Sequence, residues 1–181
     1  MLVKILIVVA VLAVAFVALV ASRPSQCSTT RSAYIAAPPS AIFPLVNDFH
    51  NWEAWSPWAK LDPKAKTSYS GAAAGEGASF AWDGNKNVGT GTMTIVESRP
   101  SELIRIKLDF LKPFAGTSAA QFTFKPTGNG TTVTWSMTGK ANFMAKAVNL
   151  FMNMDKMVGG QFEKGLASMK QEAEATAAVR N

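Results

Sequence analysis

The chain has very little cysteine and histidine: Cys27 and His50 are the only residues of their kinds among 181. One cysteine excludes an intramolecular disulfide and any cysteine-based zinc or iron–sulfur site built by this chain alone. One histidine excludes a two-histidine metal site, and we expect neither a metal nor a cofactor. There are 18 basic and 12 acidic residues, but no run of four or more basic ones. This argues against nucleic acid as a partner.

The clearest feature of the sequence is a long apolar run near its start. Residues 5–21 are uninterrupted apolar residues, and including Leu2 and Val3 gives a helix of about 20 residues, enough to cross ~30 Å of hydrocarbon. A cleaved signal peptide is the alternative, but its core is usually only about 7–15 residues long. Because the run is longer and residues 19–22 lack a small-x-small cleavage pair, we expect a retained single-pass anchor. With Lys4 inside, the soluble domain is expected on the extracytoplasmic side.

These features divide the chain into four parts. Residues 1–22 are the transmembrane anchor, or an uncleaved signal. Residues 23–30 are polar and are expected to be a linker. Residues 31–175 form the soluble domain, which is long enough to bury one core. Residues 176–181 are expected to be a frayed tail.

The soluble domain begins with a strand at 31–37, followed by two short helices at about 39–46 and 51–55. From Lys66 onward, hairpin-type turns separate runs of alternating apolar and polar residues. In 104–110, for example, the apolar side chains take every second position. This predicts an antiparallel sheet with one wet face.

After Gly139 the apolar period changes from 2 to 3.6. The apolar stripe of the predicted terminal helix consists of Met144, Val148, Phe151, Val158, Phe162, Leu166 and Met169. A long amphipathic helix of this kind is the natural cover for the apolar face of the sheet. Gly159, Gly160 and Gly165 lower helix propensity but permit a bend or a close backbone approach.

Several local motifs support one superfamily. They are FPLVNDFHNWEAWSPW at 43–58, VGTG at 88–91, DFLKPF at 109–114, TVTW at 132–135 and FEKGL at 162–166. With the order strand, two short helices, six-stranded meander and long final helix, the chain resembles the START-like helix-grip superfamily, also called SRPBCC or polyketide cyclase/dehydrase-like. The resemblance implies an α+β helix-grip (Bet v 1/START-like) fold, in which a curved antiparallel sheet wraps around the C-terminal helix and encloses a hydrophobic cavity.

That resemblance implies binding of a hydrophobic small molecule or lipid, and the inward-facing positions predict which residues line the cavity. The candidates are Tyr34, Trp55, Phe80, Trp82, Met93, Ile106, Leu108, Phe110, Phe122, Phe124, Trp135, Met137, Phe151, Asp155, Val158 and Phe162. All but Tyr34 and Asp155 are apolar or tryptophan. A cavity with so few titratable groups favours binding over catalysis.

Asp155 and Tyr34 are the two weak candidates for catalysis. Asp155 falls within the apolar stripe of the final helix, where desolvation would raise the pKa of its carboxyl group, but it could instead cap a helix that restarts there. His50 is interpreted as a turn or surface residue. Trp52, Trp55 and Trp58 recur every third position, and either a ligand-touching rim or a packing plug fits that spacing.

We therefore expect a noncatalytic, membrane-anchored binder of a hydrophobic small molecule or lipid. An alternative is a cyclase or dehydratase that uses Asp155 as its acid, with Tyr34 as partner. A third is a protein-interaction module, as the chaperone-activator members of the superfamily allow. A retained ligand would separate the first from the third.

Overall fold

The computed structural model describes residues 1–151 and 154–179. Helix α1 precedes strand β1, and three short helices separate β1 from a run of six strands, after which two helices follow. The helices are α1 (Leu2–Ala21), α2 (Pro39–Asn47), α3 (Trp52–Trp55), α4 (Pro57–Leu61), α5 (Phe143–Phe151) and α6 (Met154–Val179), with a 3₁₀ turn at Phe49–Asn51. The strands are β1 (Gln26–Ile35), β2 (Lys66–Gly71), β3 (Ala78–Asp83), β4 (Thr90–Arg99), β5 (Leu103–Lys112), β6 (Gly116–Thr127) and β7 (Gly130–Lys140).

All seven strands form one antiparallel sheet in the order β1-β7-β6-β5-β4-β3-β2. Strands β2 to β7 are the predicted six-stranded meander, and β1 closes the order beside β7. The register sets Gln26 opposite Lys140 and Phe110 opposite Gly116. The start of β1, the end of β7 and the β5–β6 turn therefore share one end of the sheet, which we call the proximal end.

The alternation in β5 shows how the sequence creates the two faces of the sheet. Ile104 and Ile106 are fully buried, whereas the residues that follow each of them, Arg105 and Lys107, are exposed. Helix α6 covers the apolar face with Phe162, Leu166, Met169 and Ala173, all at most 1% exposed. The predicted helix-grip architecture is confirmed.

Three details differ from the expectations. Strand β1 begins at Gln26, so residues 26–30 belong to the sheet and not to a linker. Backbone pairing with 136–140 holds this segment in the sheet, although its side chains carry no apolar pattern. Helix α4 is an additional short helix, starting with Pro57 at its first turn. The predicted single terminal helix is described as two helices, α5 and α6.

Helix α1 stands apart from the sheet and lies beside α5. Its most apolar window has a mean hydropathy of 3.1, and apart from Val20 its residues are exposed. By length and composition, α1 could cross a membrane, and a signal sequence near an amino terminus would have the same properties.

Candidate functional site

A cavity of about 720 Å³ lies between the sheet and the helices. Its sheet wall comes from β2 to β7 together with the first residues of β1, and its other walls come mainly from α3, α4 and the N-terminal half of α6. This volume falls within the range of roughly 300–1,000 Å³ typical of small-molecule sites. The cavity extends to the proximal end of the sheet, where Cys27 and Lys140 are part of its lining.

The interior lining is apolar and strongly aromatic. Nine of the residues predicted from sequence line it: Phe80, Trp82, Met93, Leu108, Phe110, Trp135, Met137, Val158 and Phe162. The seven from the sheet come from every second position of their strands, because side chains alternate between faces. A wall of this composition can bury an apolar ligand and offers few hydrogen bonds to a polar one.

Four predicted lining residues are buried beyond the cavity, in the solid core: Trp55, Ile106, Phe122 and Phe124, all at most 3% exposed. Trp55 is held by its indole N–H, which donates to the carbonyl oxygen of Leu45 at 2.7 Å. Side chains fill the space over the half of the sheet remote from the proximal end, because α2 and α3 pack directly onto it. The side chain of Phe151 lies outside the described residues.

The prediction that Tyr34 faces the cavity is wrong. Its side chain is 46% exposed, whereas its neighbour Ile35 is fully buried. The inward residues of β1 are thus the odd-numbered ones, and a one-residue error in phase moves a side chain to the other face of a strand. The Tyr34 ring instead lies over Gly130, where a Cβ would meet its hydroxyl-bearing edge.

The expectation that Asp155 faces the cavity is also wrong. Asp155 lies in the first turn of α6 with a side chain 55% exposed, and its Oδ2 is 3.1 Å from Nη2 of Arg31 on β1. The same guanidinium donates through Nε to Oε1 of Glu163 at 2.7 Å. The hydrogen bond from Arg31 lowers the pKa of Asp155, and one from Thr29 adds to it. Sequence reasoning expected desolvation to raise the pKa of Asp155, but its partners lower that pKa.

The ion pairs of Arg31 with Asp155 and Glu163, which we call the clasp, give a prediction about pH. In wild type, the Asp155 carboxyl should titrate below the ordinary aspartate value of about 3.9, and Arg31→Met should return it toward that value. Because the pKa is lower in the folded state, the clasp stabilises the fold above the unfolded value, and that stabilisation is lost as the pH falls through the folded pKa. Carboxyl chemical shifts measured by NMR between pH 2 and 6 test this. Equal midpoints in the two proteins would contradict it.

The tryptophans of the WEAWSPW segment divide between the two roles considered for them. Trp52 and Trp55 are 7% and 0% exposed and form part of an aromatic cluster, which is the packing-plug arrangement. Trp52 and Trp58 also contribute to the cavity wall. The centre of the cluster is Trp135, whose ring stacks on Phe162 at 4.0 Å between centroids.

Trp135 carries one unusual polar atom. Its Nε1 is buried and has no hydrogen-bond partner among the described residues. Buried polar groups without a partner are uncommon in folded proteins. The ring is edge-on to Trp55 and Trp58, at 5.5 and 5.6 Å between centroids. Aromatic packing thus holds the ring in place.

Sequence reasoning missed the polar residues at the mouth of the cavity. The ionisable members of this group are Glu53, Asp62, Lys86, Lys112 and Lys140, and the aromatic Phe114 also lies there. Most of them come from loops or strand ends, which have no periodic pattern to reveal them. The lysines are all exposed.

Tyr69 is a further lining residue that was missed, because β2 is an exposed edge strand without alternation. Its ring stacks on His50 at 4.0 Å, and Nδ1 of His50 lies 2.7 Å from Oδ1 of Asp48. Burial raises the pKa of the Tyr69 phenol, and the negative charges of Glu53 and Asp48 raise it further. The phenol is therefore neutral at pH 7. His50 is a surface residue, as its loop position predicted.

Comparison with known families agrees with this geometry. Residues 26–174 match the family described as polyketide cyclase / dehydrase and lipid transport. The fold is the helix-grip fold, and the chain belongs to the polyketide cyclase / dehydrase and lipid transport family. A search of curated proteins found no relative of similar sequence.

Solved structures of several differently named proteins share this fold. Protein CV1439 from Chromobacterium violaceum is 15% identical, with a TM-score of 0.58, over 84% of this chain and 99% of that one. The Aha1 dimer from Colwellia psychrerythraea is 14% identical, with a TM-score of 0.59, over 82% and 96%. The di-domain ARO/CYC StfQ from the steffimycin biosynthetic pathway is 15% identical, with a TM-score of 0.60, over 84% of this chain and 52% of that one. At these identities the likeness concerns the fold alone.

Proposed function

We propose that this chain is a membrane-anchored START-like domain that binds a hydrophobic small molecule or lipid in its cavity without chemically changing it. Helix α1 is the anchor, and the cavity is the binding site. The observation that carries the proposal is the 720 Å³ cavity with its apolar, aromatic wall. The family description, which includes lipid transport, is consistent with it.

The placement of titratable groups supports binding over catalysis. Asp155 and Tyr34 point away from the cavity, and the lining carboxylates, Glu53 and Asp62, are at its mouth. A cyclase-like enzyme is the second candidate, because ARO/CYC proteins share the fold and Tyr69 places a phenol in the wall. A protein-interaction module needs no such cavity.

We place the soluble domain on the extracytoplasmic side, with Lys4 and the short amino-terminal tail in the cytoplasm. Val96 of β4 is 48% exposed and remote from the proximal end of the sheet, so it reports the side of the membrane on which the domain lies. Labelling of a Cys27→Ser/Val96→Cys variant in intact cells by a membrane-impermeant maleimide supports this orientation, and labelling only after lysis would reverse it.

The binding proposal is tested by filling the cavity. Ala120 of β6 is 4% exposed and lines the cavity, so an indole placed there occupies the ligand's volume. Its neighbour Ala119 is exposed on the opposite face of the same strand and provides a matched control. We expect native mass spectrometry of the full chain to show a retained hydrophobic molecule in wild type and Ala119→Trp. Ala120→Trp should retain at least about tenfold less.

Far-UV circular dichroism is the control that checks whether all three proteins are folded. If wild type retains nothing after incubation with host lipid extract, the binding proposal is wrong and the interaction module takes its place. If the retained molecule is an aromatic polyketide-like compound that the protein converts to product, the cyclase alternative is correct. Loss of that turnover in Tyr69→Phe would then assign the phenol its role.

A further inference from the structure

The mouth of the cavity has an exposed apolar rim. We define the rim as Leu111 near the end of β5, Phe114 of the β5–β6 turn, and Phe143 and Met144 of α5, which are 45–58% exposed. Phe114 is itself part of the cavity lining, Leu111 and Met144 adjoin the lining residues Lys112 and Ala145, and Phe143 precedes Met144 in the first turn of α5. Large apolar side chains grouped at one site are unusual on a soluble surface and mark a docking region.

The chain itself brings this rim to the bilayer if α1 is the anchor. Only residues 22–25 separate the end of α1 at Ala21 from the start of β1 at Gln26. The five residue steps from Ala21 to Gln26 span at most about 18 Å, and the headgroup layer is about 5–8 Å thick on each side. The proximal end of the sheet, and the cavity mouth with it, therefore stays within reach of the headgroups. Helix α5 carries half of the rim and lies beside α1.

The charge at the mouth specifies what kind of surface it fits. Lys86, Lys112 and Lys140 are exposed and belong to the lining of the mouth. Of the two carboxylates there, Asp62 already accepts hydrogen bonds from the backbone N–H groups of Asn85, at 2.7 Å, and Lys64. The three lysines of the mouth and the apolar rim beside them are together complementary to a bilayer containing anionic lipid. The lysines attract the lipid phosphates, while the apolar side chains enter the acyl region.

We infer that the rim docks the cavity mouth onto anionic lipid of the leaflet from which the domain emerges, so that the ligand passes between bilayer and cavity without crossing water. This inference rests on the proposed function and names the source of the ligand: an amphipathic lipid of the same leaflet. The apolar body of the lipid enters the cavity, and its anionic headgroup remains among Lys86, Lys112 and Lys140.

Spin labels on the full chain test the docking. In a Cys27→Ser background, single cysteines replace Phe114 and Met144 of the rim. Val96 is the matched control, because it is an apolar residue of β4 that is 48% exposed, remote from the proximal end. The protein is reconstituted into phosphatidylcholine vesicles with and without about 30 mol% phosphatidylglycerol. Power-saturation electron paramagnetic resonance compares the accessibility of each label to oxygen and to a water-soluble nickel chelate.

We expect the labels at 114 and 144 to be shielded from nickel and accessible to oxygen in the anionic vesicles, and the label at 96 to remain in water. The double variant Lys112→Glu/Lys140→Glu should remove the dependence on phosphatidylglycerol. Rim labels as accessible to nickel as the control would overturn the docking. Shielding that is equal in both vesicle types would overturn the requirement for anionic lipid.

Ligand retention measured in the same vesicles separates this inference from the proposed function. Ala120→Trp should lose the ligand yet keep its rim labels shielded. Leu111→Asp/Phe143→Asp, at two rim positions outside the cavity lining, should expose the label at 144 and slow the uptake of labelled lipid at least about tenfold, while the filled cavity still retains its ligand. Docking without any retained ligand in wild type contradicts the proposed function alone. Retention with nickel-accessible rim labels contradicts the docking alone.

Discussion

Gly165→Leu is expected to lower the free energy of unfolding by about 2–3 kcal/mol, as overpacking of a filled core does. Gly165 is buried where α6 crosses the sheet. A Cβ at this position would lie 2.9 Å from Cζ3 of Trp135 and 3.1 Å from Cδ of Pro57. The larger side chain of leucine has no free volume to enter.

The neighbours of Gly165 cannot easily move aside. Trp135 stacks against two rings, those of Phe122, at 4.8 Å, and of Phe162, at 4.0 Å between centroids, and these contacts hold its indole in place. Pro57 starts helix α4 and is itself buried. The substitution must therefore displace α6 or α4, and both form walls of the cavity.

Gly160→Leu is the matched control on the same helix. Nothing lies within 4 Å of a Cβ at Gly160, so the substitution causes no clash. Leucine is a better helix former than glycine, and this variant should raise the free energy of unfolding by up to about 1 kcal/mol. Denaturant unfolding of the full chain in detergent, followed by circular dichroism, measures both. Changes of the same sign in the two variants would contradict the packing argument.

The strands and the final helix could be predicted because periodicity depends directly on burial. Ile104 and Ile106 alternate with Arg105 and Lys107 because one face of β5 packs under α6 and the other is in water. Nine lining residues followed from the same rule. Which inward residues border empty space and which border other side chains, as for Phe122, depends on where α2 and α3 pack, and no pattern within a strand encodes that.

The two wrong site residues have separate physical causes. In β1, both phases of the strand present small or partly polar side chains, so the sequence did not show that Ile35 and not Tyr34 faces inward. For Asp155, the helical wheel gave the correct side of α6, since Arg31 of β1 contacts it there. A wheel removes position along the helix axis, however, and Asp155 is in the first turn, where it remains exposed.

The residues at the mouth of the cavity could not be predicted from the sequence, for a further reason. Lys86, Lys112 and Phe114 come from turns or strand ends, and only the fold brings them together with the start of β1. Their spacing along the chain carries no information about that meeting. The apolar helix α1 could be predicted from composition, but its proximity to the cavity mouth followed only from the sheet register.

Truncation of two core phenylalanines should separate stability from ligand binding. Phe122 is fully buried and lies outside the cavity wall, whereas Phe162 is 1% exposed and is part of it. Each alanine variant should lose about 3–5 kcal/mol of unfolding free energy in the ligand-free protein, from lost burial and the space left behind. Phe114→Ala, at a 54% exposed position, should lose almost nothing.

The two core variants should differ once a ligand is present. The space left by Phe162→Ala joins the existing cavity, so a bulkier apolar ligand can fill it and recover part of the lost stability through binding to the folded state. The space left by Phe122→Ala is enclosed by Trp52, Trp55 and Trp135 and stays out of the ligand's reach. Thermal unfolding with a series of fatty acids of increasing bulk measures the difference. If the fatty acids stabilise Phe122→Ala as much as Phe162→Ala, this prediction is wrong. The ligand would then reach the space beside residue 122, and the cavity would extend deeper into the core than its lining indicates.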